Sequence, residues 1–294
     1  MNVEKSVIGL DLGTKKAGIC CLSNEIRPSS WSVSTLKVSK EEYVVEELKN
    51  IVDDATRISR VVIDAPVGQG NTVEGYRAID RFFMRRDFNN NNVGLQPNNP
   101  NLLKIDTQEL KGLLSEWEIE WSNDWNGDSQ HSRLMRETFP NVVLGMLFEP
   151  DKIEEHRRKL RFQFGRGSNV PVVSAAFDLI SKNKNKRASD FLSILNVSDT
   201  LDWEWLYGRH ESNDKVSIET QGDDLIAALA CALVGVYDLQ GNAGYVRTRQ
   251  DEQDDIVEGH YLLPGAEHLH PAWKQEIQKI YSEAEFRDYL SHNY

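Results

Sequence analysis

The stretch Ser6–Leu22 near the N-terminus reads SVIGLDLGTKKAGICCL. It holds two short apolar runs, Ser6–Asp11 and Ala17–Leu22, which are separated by Gly13 and polar residues suited to a turn. Short apolar runs bounded by turn residues are typical of buried strands. The sequence therefore predicts an N-terminal β-hairpin with the turn LGTKK and an acid, Asp11, inside its first apolar run.

The segments that follow this hairpin predict a mixed sheet. Trp31–Val38 alternates as a third strand should. Ser39 and Glu42 have the spacing of a capping box, and Glu42–Ile51 carries apolar residues at helical intervals, which predicts a helix. Arg60–Asp64, RVVID, then has the β-branched composition of a buried strand. The predicted order is β-β-β-α-β, in which the first strands pair as hairpins and the fourth needs a crossover. This order is typical of a ribonuclease H-like α/β fold, with helices flanking the sheet.

The later sequence predicts insertions around this core. Residues 67–135 read as an insertion that contains an Asn- and Pro-rich loop, and Asn141–Leu147 could form a further strand. Leu225–Val236 is apolar nearly all round, which predicts a helix buried against the sheet. We expect a ribonuclease H-like domain over residues 1–245 and an acidic C-terminal extension over residues 246–294.

The charge distribution narrows the possible partners. The formal net charge is −12, and residues 251–294 hold ten acids against three Lys or Arg. A protein coated in positive charge for non-specific DNA binding is therefore not expected. His156–Asn169 and Lys182–Arg187 are nevertheless basic and free of acids. These two segments could follow a phosphate backbone, or they could be ordinary solvated faces.

The cellular compartment is predicted from what the sequence lacks. No apolar run approaches the roughly 20 residues of a membrane-spanning helix, and the N-terminus has no signal-peptide pattern. The three cysteines, Cys20, Cys21 and Cys231, lie in apolar segments and have no zinc-site spacing. We expect a cytoplasmic protein with reduced, buried thiols and no contact with a membrane.

Carboxylates next to apolar structure are the candidate site residues. They are Asp11 and Asp64 in the predicted strands, Asp223 and Asp224 before the apolar helix, and Glu137. An unpaired carboxylate in apolar surroundings is costly, so such groups usually hold hydrogen bonds or metal. Each also has a simpler interpretation: the strand acids could end turns, Asp223 could cap a helix, Asp224 could complement its dipole, and Glu137 could be a surface residue.

Carboxylates brought to one place fit a divalent metal site. If the first and fourth strands are neighbours, Asp11 and Asp64 meet at one sheet edge, and the buried helix could bring Asp223 and Asp224 alongside. Oxygen-only ligands suit Mg²⁺ or Mn²⁺ better than zinc. Two such ions about 4 Å apart are the arrangement used in phosphodiester hydrolysis. The residue types therefore predict a metal-dependent nuclease that acts on RNA or DNA.

Short motifs also resemble known families. The segment from Gly9 to Ser23 resembles the first motif of the Holliday-junction resolvase-like family. The wider motif set is similar to a predicted-nuclease family known as domain of unknown function 429. The matching motifs, in chain order, are Gly9-Leu10-Asp11, Ile63-Asp64-Ala65-Pro66, Arg77 with Asp80 and Arg81, Glu137-Thr138-Phe139-Pro140, and Asp223-Asp224 before Leu225-Ile226-Ala227-Ala228.

The resemblance implies a ribonuclease H-like fold and metal-dependent nuclease activity. At the matching positions it implies metal ligands or bases, which are Asp11, Asp64, Glu137, Asp223 and Asp224. It further implies that Arg77 and Arg81 bind phosphate or organise the acids.

The hairpin turn adds candidate phosphate contacts, because Thr14, Lys15 and Lys16 lie three to five positions after the first acid. Two other functions stay open at this point. A phosphotransferase of the actin and sugar-kinase type shares the Asp-Leu-Gly-Thr hairpin but needs a second glycine-rich phosphate loop, which we do not find. A non-catalytic nucleic-acid- or protein-binding protein with the same fold fits the negative charge.

Overall fold

The structure of the protein is a computed structural model. The described residues are 4–13, 16–24, 31–64, 107–121, 133–140, 143, 194–195, 222–248, 260–264 and 284–288. Within them, no helix is long and apolar enough to cross a membrane.

Twelve helices and strands of the described residues build two sheets and their flanking helices. In chain order they are β1 (Lys5–Leu12), β2 (Lys16–Asn24), β3 (Ser32–Lys40), α1 (Val44–Ile51), β4 (Ile58–Asp64), α2 (Thr107–Glu116), β5 (Glu120–Trp121), β6 (Leu134–Glu137), α3 (Gly222–Leu239), β7 (Ala243–Thr248), β8 (His260–Pro264) and β9 (Ala284–Asp288). Single 3₁₀ turns at Glu41–Tyr43 and Ala55–Arg57 precede α1 and β4.

The main sheet has six strands in the order β3-β2-β1-β4-β6-β5. β1 pairs antiparallel with β2, and β2 pairs antiparallel with β3. β4 and β6 continue the sheet from β1 in parallel, and β5 pairs in parallel with β6. The β-β-β-α-β order predicted from the sequence is confirmed, and the protein has a mixed α/β sheet of the ribonuclease H-like type.

The two faces of this sheet pack against different helices. Side chains alternate between the faces along each strand. One face packs against α1 and α2 around a core that includes Leu10, Ile19, Ile63 and Met135. The other face packs against α3, whose residues 228–238 are all buried. The predicted buried helix Leu225–Val236 therefore lies inside α3, as expected from an apolar pattern that continues round the helix.

The predicted strand Asn141–Leu147 is wrong where the structure describes it. Pro140 and Val143 are helical, and the Val143 N–H donates to the Phe139 carbonyl at 3.0 Å. Proline fits the first turn of a helix because its missing N–H would have no partner there. The strand lies just before, in β6, where buried Arg136 and Glu137 interrupt the apolar pattern that would have indicated it.

The C-terminal segment contributes a second sheet, with strand order β8-β7-β9 and antiparallel pairing. Its central strand β7 spans the domain boundary predicted between residues 245 and 246. The Thr138 hydroxyl donates to the Leu262 carbonyl at 2.6 Å, and the rings of Phe139 and Tyr261 lie 5.7 Å apart. β8 therefore packs beside the end of β6, while the division into a domain and a C-terminal extension stays a prediction.

Candidate metal centre

Asp11 and Asp64 lie side by side at the carboxyl ends of neighbouring parallel strands. They are Cα partners in the ladder between β1 and β4. Partners across a ladder share a face of the sheet, so both carboxylates are on one side. Asp64 is only 8% exposed, and Asp11 is half-buried. The structure thus brings together the two strand acids, which are 53 positions apart in the sequence.

The face they share is the one that carries α3. In the antiparallel hairpin the partner of Asp11 is Gly18. A Cβ placed on Gly18 would lie 2.1 Å from the Asp224 carbonyl oxygen, so backbone touches backbone at this position. The first turn of α3 therefore lies directly over the strand next to Asp11, and Asp224 reaches this end of the sheet.

A single stripe of α3 faces the sheet along the whole helix. Asp224 and Ala228 face Gly18, and a Cβ on Gly9 would lie 2.1 Å from the Ala228 carbonyl oxygen. The Cys231 thiol donates to the Leu10 carbonyl at 3.6 Å. These contacts recur every three or four residues, which is the spacing of one helix face. Asp224 therefore begins the sheet-facing stripe of α3.

The buried thiol of Cys231 lies near both strand acids. Burial raises the pKa of this thiol well above its usual value, and the charges of Asp64 and Asp11 raise it further. Both carboxylates therefore act on one sulfur atom under the end of the β1–β4 ladder. Cys231 was not predicted as a neighbour of the site, although its spacing of seven residues from Asp224 is a sequence signal for a shared helix face.

Glu137 is not brought to the same face by the strand pairing. In the ladder between β4 and β6 its Cα partner is Ile63, which belongs to the core against α1 and α2. Asp64, the next residue of β4, points to the opposite side. Glu137 is 3% exposed, so it is not the surface residue of the simpler interpretation.

The remaining predicted site residues are described only in part. Asp223 lies in the first turn of α3, which begins at Gly222, so it is inside the helix and not at its N-cap. Lys16 begins β2, and its carbonyl accepts a hydrogen bond from the Gly13 N–H at 3.0 Å, which closes the hairpin. The other predicted phosphate contacts, Thr14, Lys15, Arg77 and Arg81, lie outside the described residues.

The donors at this end of the sheet fit a hard divalent cation. Over the part of the chain that the structure describes, no group of three or more His, Cys, Asp or Glu side chains is placed to hold a metal ion. Mg²⁺ is commonly bound by only one or two protein carboxylates, with water and substrate phosphate completing its shell. Asp11 and Asp64 provide such a pair of oxygen donors on one face.

Comparison with known proteins adds little to this geometry. No protein-family model matches the chain, and no curated protein matches it. The resemblance to the family of domain of unknown function 429 therefore stays a prediction from short motifs. A structure of RuvC from Thermus thermophilus is similar with a TM-score of 0.31 and 13% identity, over 80% of this chain and 96% of that one. A similarity at this level carries nothing about activity.

Proposed function

We propose that the protein is a metal-dependent nuclease whose metal ligands are Asp11 and Asp64, with Asp224 completing the site. The observation that carries the proposal is the pairing of the two aspartates at the carboxyl ends of adjacent parallel strands. They share the face on which the first turn of α3 lies.

Electrostatics favours a cation between these residues and a nucleic acid. Carboxylates on one face repel one another, and they repel a phosphodiester as well. A divalent cation bound between them removes both repulsions. Bound Mg²⁺ or Mn²⁺ would supply an activated water and charge stabilisation at the phosphorus, as in two-metal hydrolysis.

In this proposal the residues of the chain hold and orient the metal ion. Strand pairing holds the backbones of Asp11 and Asp64 rigidly, because each lies within a hydrogen-bonded ladder. Asp224 would complete the site from the first turn of α3, where a negative charge is favoured by the helix dipole. Glu137 lies on the opposite side of the sheet, so we assign it no direct contact with the ion.

Cleavage of labelled RNA and DNA by the purified chain tests the proposal. We expect cleavage with Mg²⁺ or Mn²⁺, none with EDTA, and loss of cleavage in Asp11→Asn and in Asp64→Asn. Asp53→Asn is the matched control, because Asp53 is an exposed acid outside the strands. Persisting cleavage in both strand variants would overturn the mechanism.

Mn²⁺ binding separates a nuclease from a binding protein with the same site. If the wild type binds Mn²⁺ and Asp11→Asn does not, while no nucleic acid is cut, the site is a metal centre without this chemistry. The non-catalytic function then replaces the nuclease. We expect Glu137→Gln to weaken Mn²⁺ binding less than Asp64→Asn does.

A further inference from the structure

The other end of α3 carries a buried ion cluster that the proposed chemistry does not use. The Asp238 carboxylate accepts a hydrogen bond from Arg60 Nε at 2.5 Å, and Arg136 Nε lies 3.9 Å from the same oxygen. The side chains of Arg60 and Asp238 are fully buried, and that of Arg136 is 1% exposed. The cluster therefore connects α3 to β4 and β6 inside the protein.

A gain in stability does not by itself account for this buried ion cluster. Asp238 is in the last turn of α3, where the helix dipole disfavours a negative charge. Three buried charged groups also lose their hydration, and apolar residues of similar volume often replace such clusters without loss of stability. Buried ionic groups in other proteins have been found to select one arrangement of packed elements. The cluster is suited to that role.

Asp238 and Asp224 lie on the same side of one helix. They are separated by fourteen residues, which is close to four full turns and about 21 Å of helix length. Asp238 meets the sheet through Arg60, and the backbone of Asp224 meets it at Gly18. Any movement of α3 along its axis therefore moves both acids together.

The middle of this stripe packs closely on the sheet. Its sheet-facing residues are small, namely Ala228, Cys231, Ala232 and Gly235. Small residues let the helix approach closely, since a Cβ on Gly235 would lie 2.7 Å from Val7 Cγ1. The methyl groups of Val7 and Val62 fill the space beside Gly235, and this van der Waals contact has no preferred direction. The hydrogen bond that the Asp238 carboxylate accepts from Arg60 is directional, so it adds a specific constraint on the axial position of the helix.

We propose that Asp238 is a positioning residue, which sets the axial position of α3 through Arg60 and Arg136 and so places Asp224 against Asp11 and Asp64. This inference rests on the proposed function, because Asp224 matters here only as a proposed metal ligand. The position of the helix itself does not depend on a metal.

The test compares Mn²⁺ affinity with stability. Asp238→Asn removes the charge, and the triple variant Arg60→Met, Arg136→Met and Asp238→Leu replaces the cluster with apolar side chains. We expect the triple variant to fold and to bind Mn²⁺ roughly 10-fold more weakly by titration calorimetry, as for residues that support a metal ligand. In an Asp224→Asn background the same replacement should cause no further loss, because the ligand that it positions is already gone.

Control variants separate positioning from general destabilisation. Val45→Ala truncates the core on the opposite face, and it should lower stability without changing Mn²⁺ affinity. A triple variant with wild-type affinity overturns the proposal, as does an equal loss in the Asp224→Asn background. If neither Asp238→Asn nor the triple variant folds, the cluster serves folding and the positioning role is rejected.

A failure of the proposed metal site can be distinguished from a failure of the positioning role. If the wild type binds no Mn²⁺, the proposed function fails, and a crystal structure of the triple variant decides the position of α3. An unchanged separation of 3.6 Å between Cys231 Sγ and the Leu10 oxygen, with Asp224 unmoved, overturns the positioning role whether or not metal binds.

Discussion

Replacing Gly18 by alanine tests how closely α3 lies on the sheet beside Asp11. The added Cβ would lie 2.1 Å from the backbone carbonyl oxygen of Asp224 and 2.7 Å from the carbon of the same carbonyl. An ordinary contact begins at 3.4 Å, so the helix must retreat by about 1.3 Å at its first turn. Both atoms belong to the backbone, and no side-chain rotation relieves the clash.

The expected change in the free energy of unfolding combines two opposing contributions. Overpacking of this kind costs typically about 1–3 kcal/mol. Alanine in a strand recovers about 0.5–1 kcal/mol relative to glycine, because the unfolded chain loses freedom. We therefore expect Gly18→Ala to lower the free energy of unfolding by about 1–2 kcal/mol. A displacement of Asp224 by more than 1 Å should lower cleavage on the order of 100-fold.

Urea unfolding followed by circular dichroism measures the stability, and Mn²⁺-dependent cleavage measures the site. Gly112→Ala is the matched control, since a Cβ there meets nothing within 4 Å on the exposed side of α2. Removing a glycine from a helix interior should stabilise the protein by about 0.5–1 kcal/mol. Gly9→Ala makes a similar clash further along α3, and it shows how much of the effect is local to Asp224.

A Gly18→Ala protein as stable and active as the wild type would refute this reasoning. It would mean that the backbone of α3 does not lie against β2 at this position. A variant that loses stability but keeps full metal-dependent cleavage would refute only the role of Asp224.

Three further predictions concern one buried hydrogen bond, two buried thiols and the proposed metal site. Thr138→Val leaves the buried Leu262 carbonyl without its donor and should cost about 1–3 kcal/mol in urea unfolding; a variant as stable as the wild type would show that the hydroxyl does not hold β8. Burial raises the pKa values of Cys20 and Cys231 above the ordinary thiol value of 9.0. The unfolded chain therefore binds fewer protons above pH 9, and stability should fall there by up to about 1.4 kcal/mol per pH unit and thiol, a slope that Cys→Ala variants should reduce. Mn²⁺ at 100 times its Kd should stabilise the wild type by about 2.7 kcal/mol in thermal unfolding and leave Asp11→Asn unchanged; equal shifts would place the ion elsewhere.

Local sequence patterns were enough to predict that Asp11 and Asp64 are neighbours. Asp11 and Asp64 stand within or at the end of apolar runs, and a crossover between parallel strands makes those runs neighbours. The strand β6 could not be predicted in the same way, because its buried Arg136 and Glu137 read as exposed residues. Hydrophobic periodicity reports burial only where the buried side chains are apolar.

Long-range pairing was not visible in the sequence. Asp238 reads as an ordinary acid at a helix end, and its partner Arg60 lies 178 residues away. The small residues of α3 could be seen, but nothing local shows that they form the stripe against Gly9 and Gly18. Close backbone approach depends on two elements at once, so neither segment indicates it alone.

The amino-acid sequence by itself determined the order of the first strands and the buried helix, because short-range apolar periodicity follows directly from which faces lose water. Only the tertiary structure decided which acids share a face. Strand register places Asp11 with Asp64 and places Glu137 on the opposite side, and a shift of one residue would reverse that assignment. Register and helix position are set by contacts between distant segments, and these contacts exist only once the chain has folded.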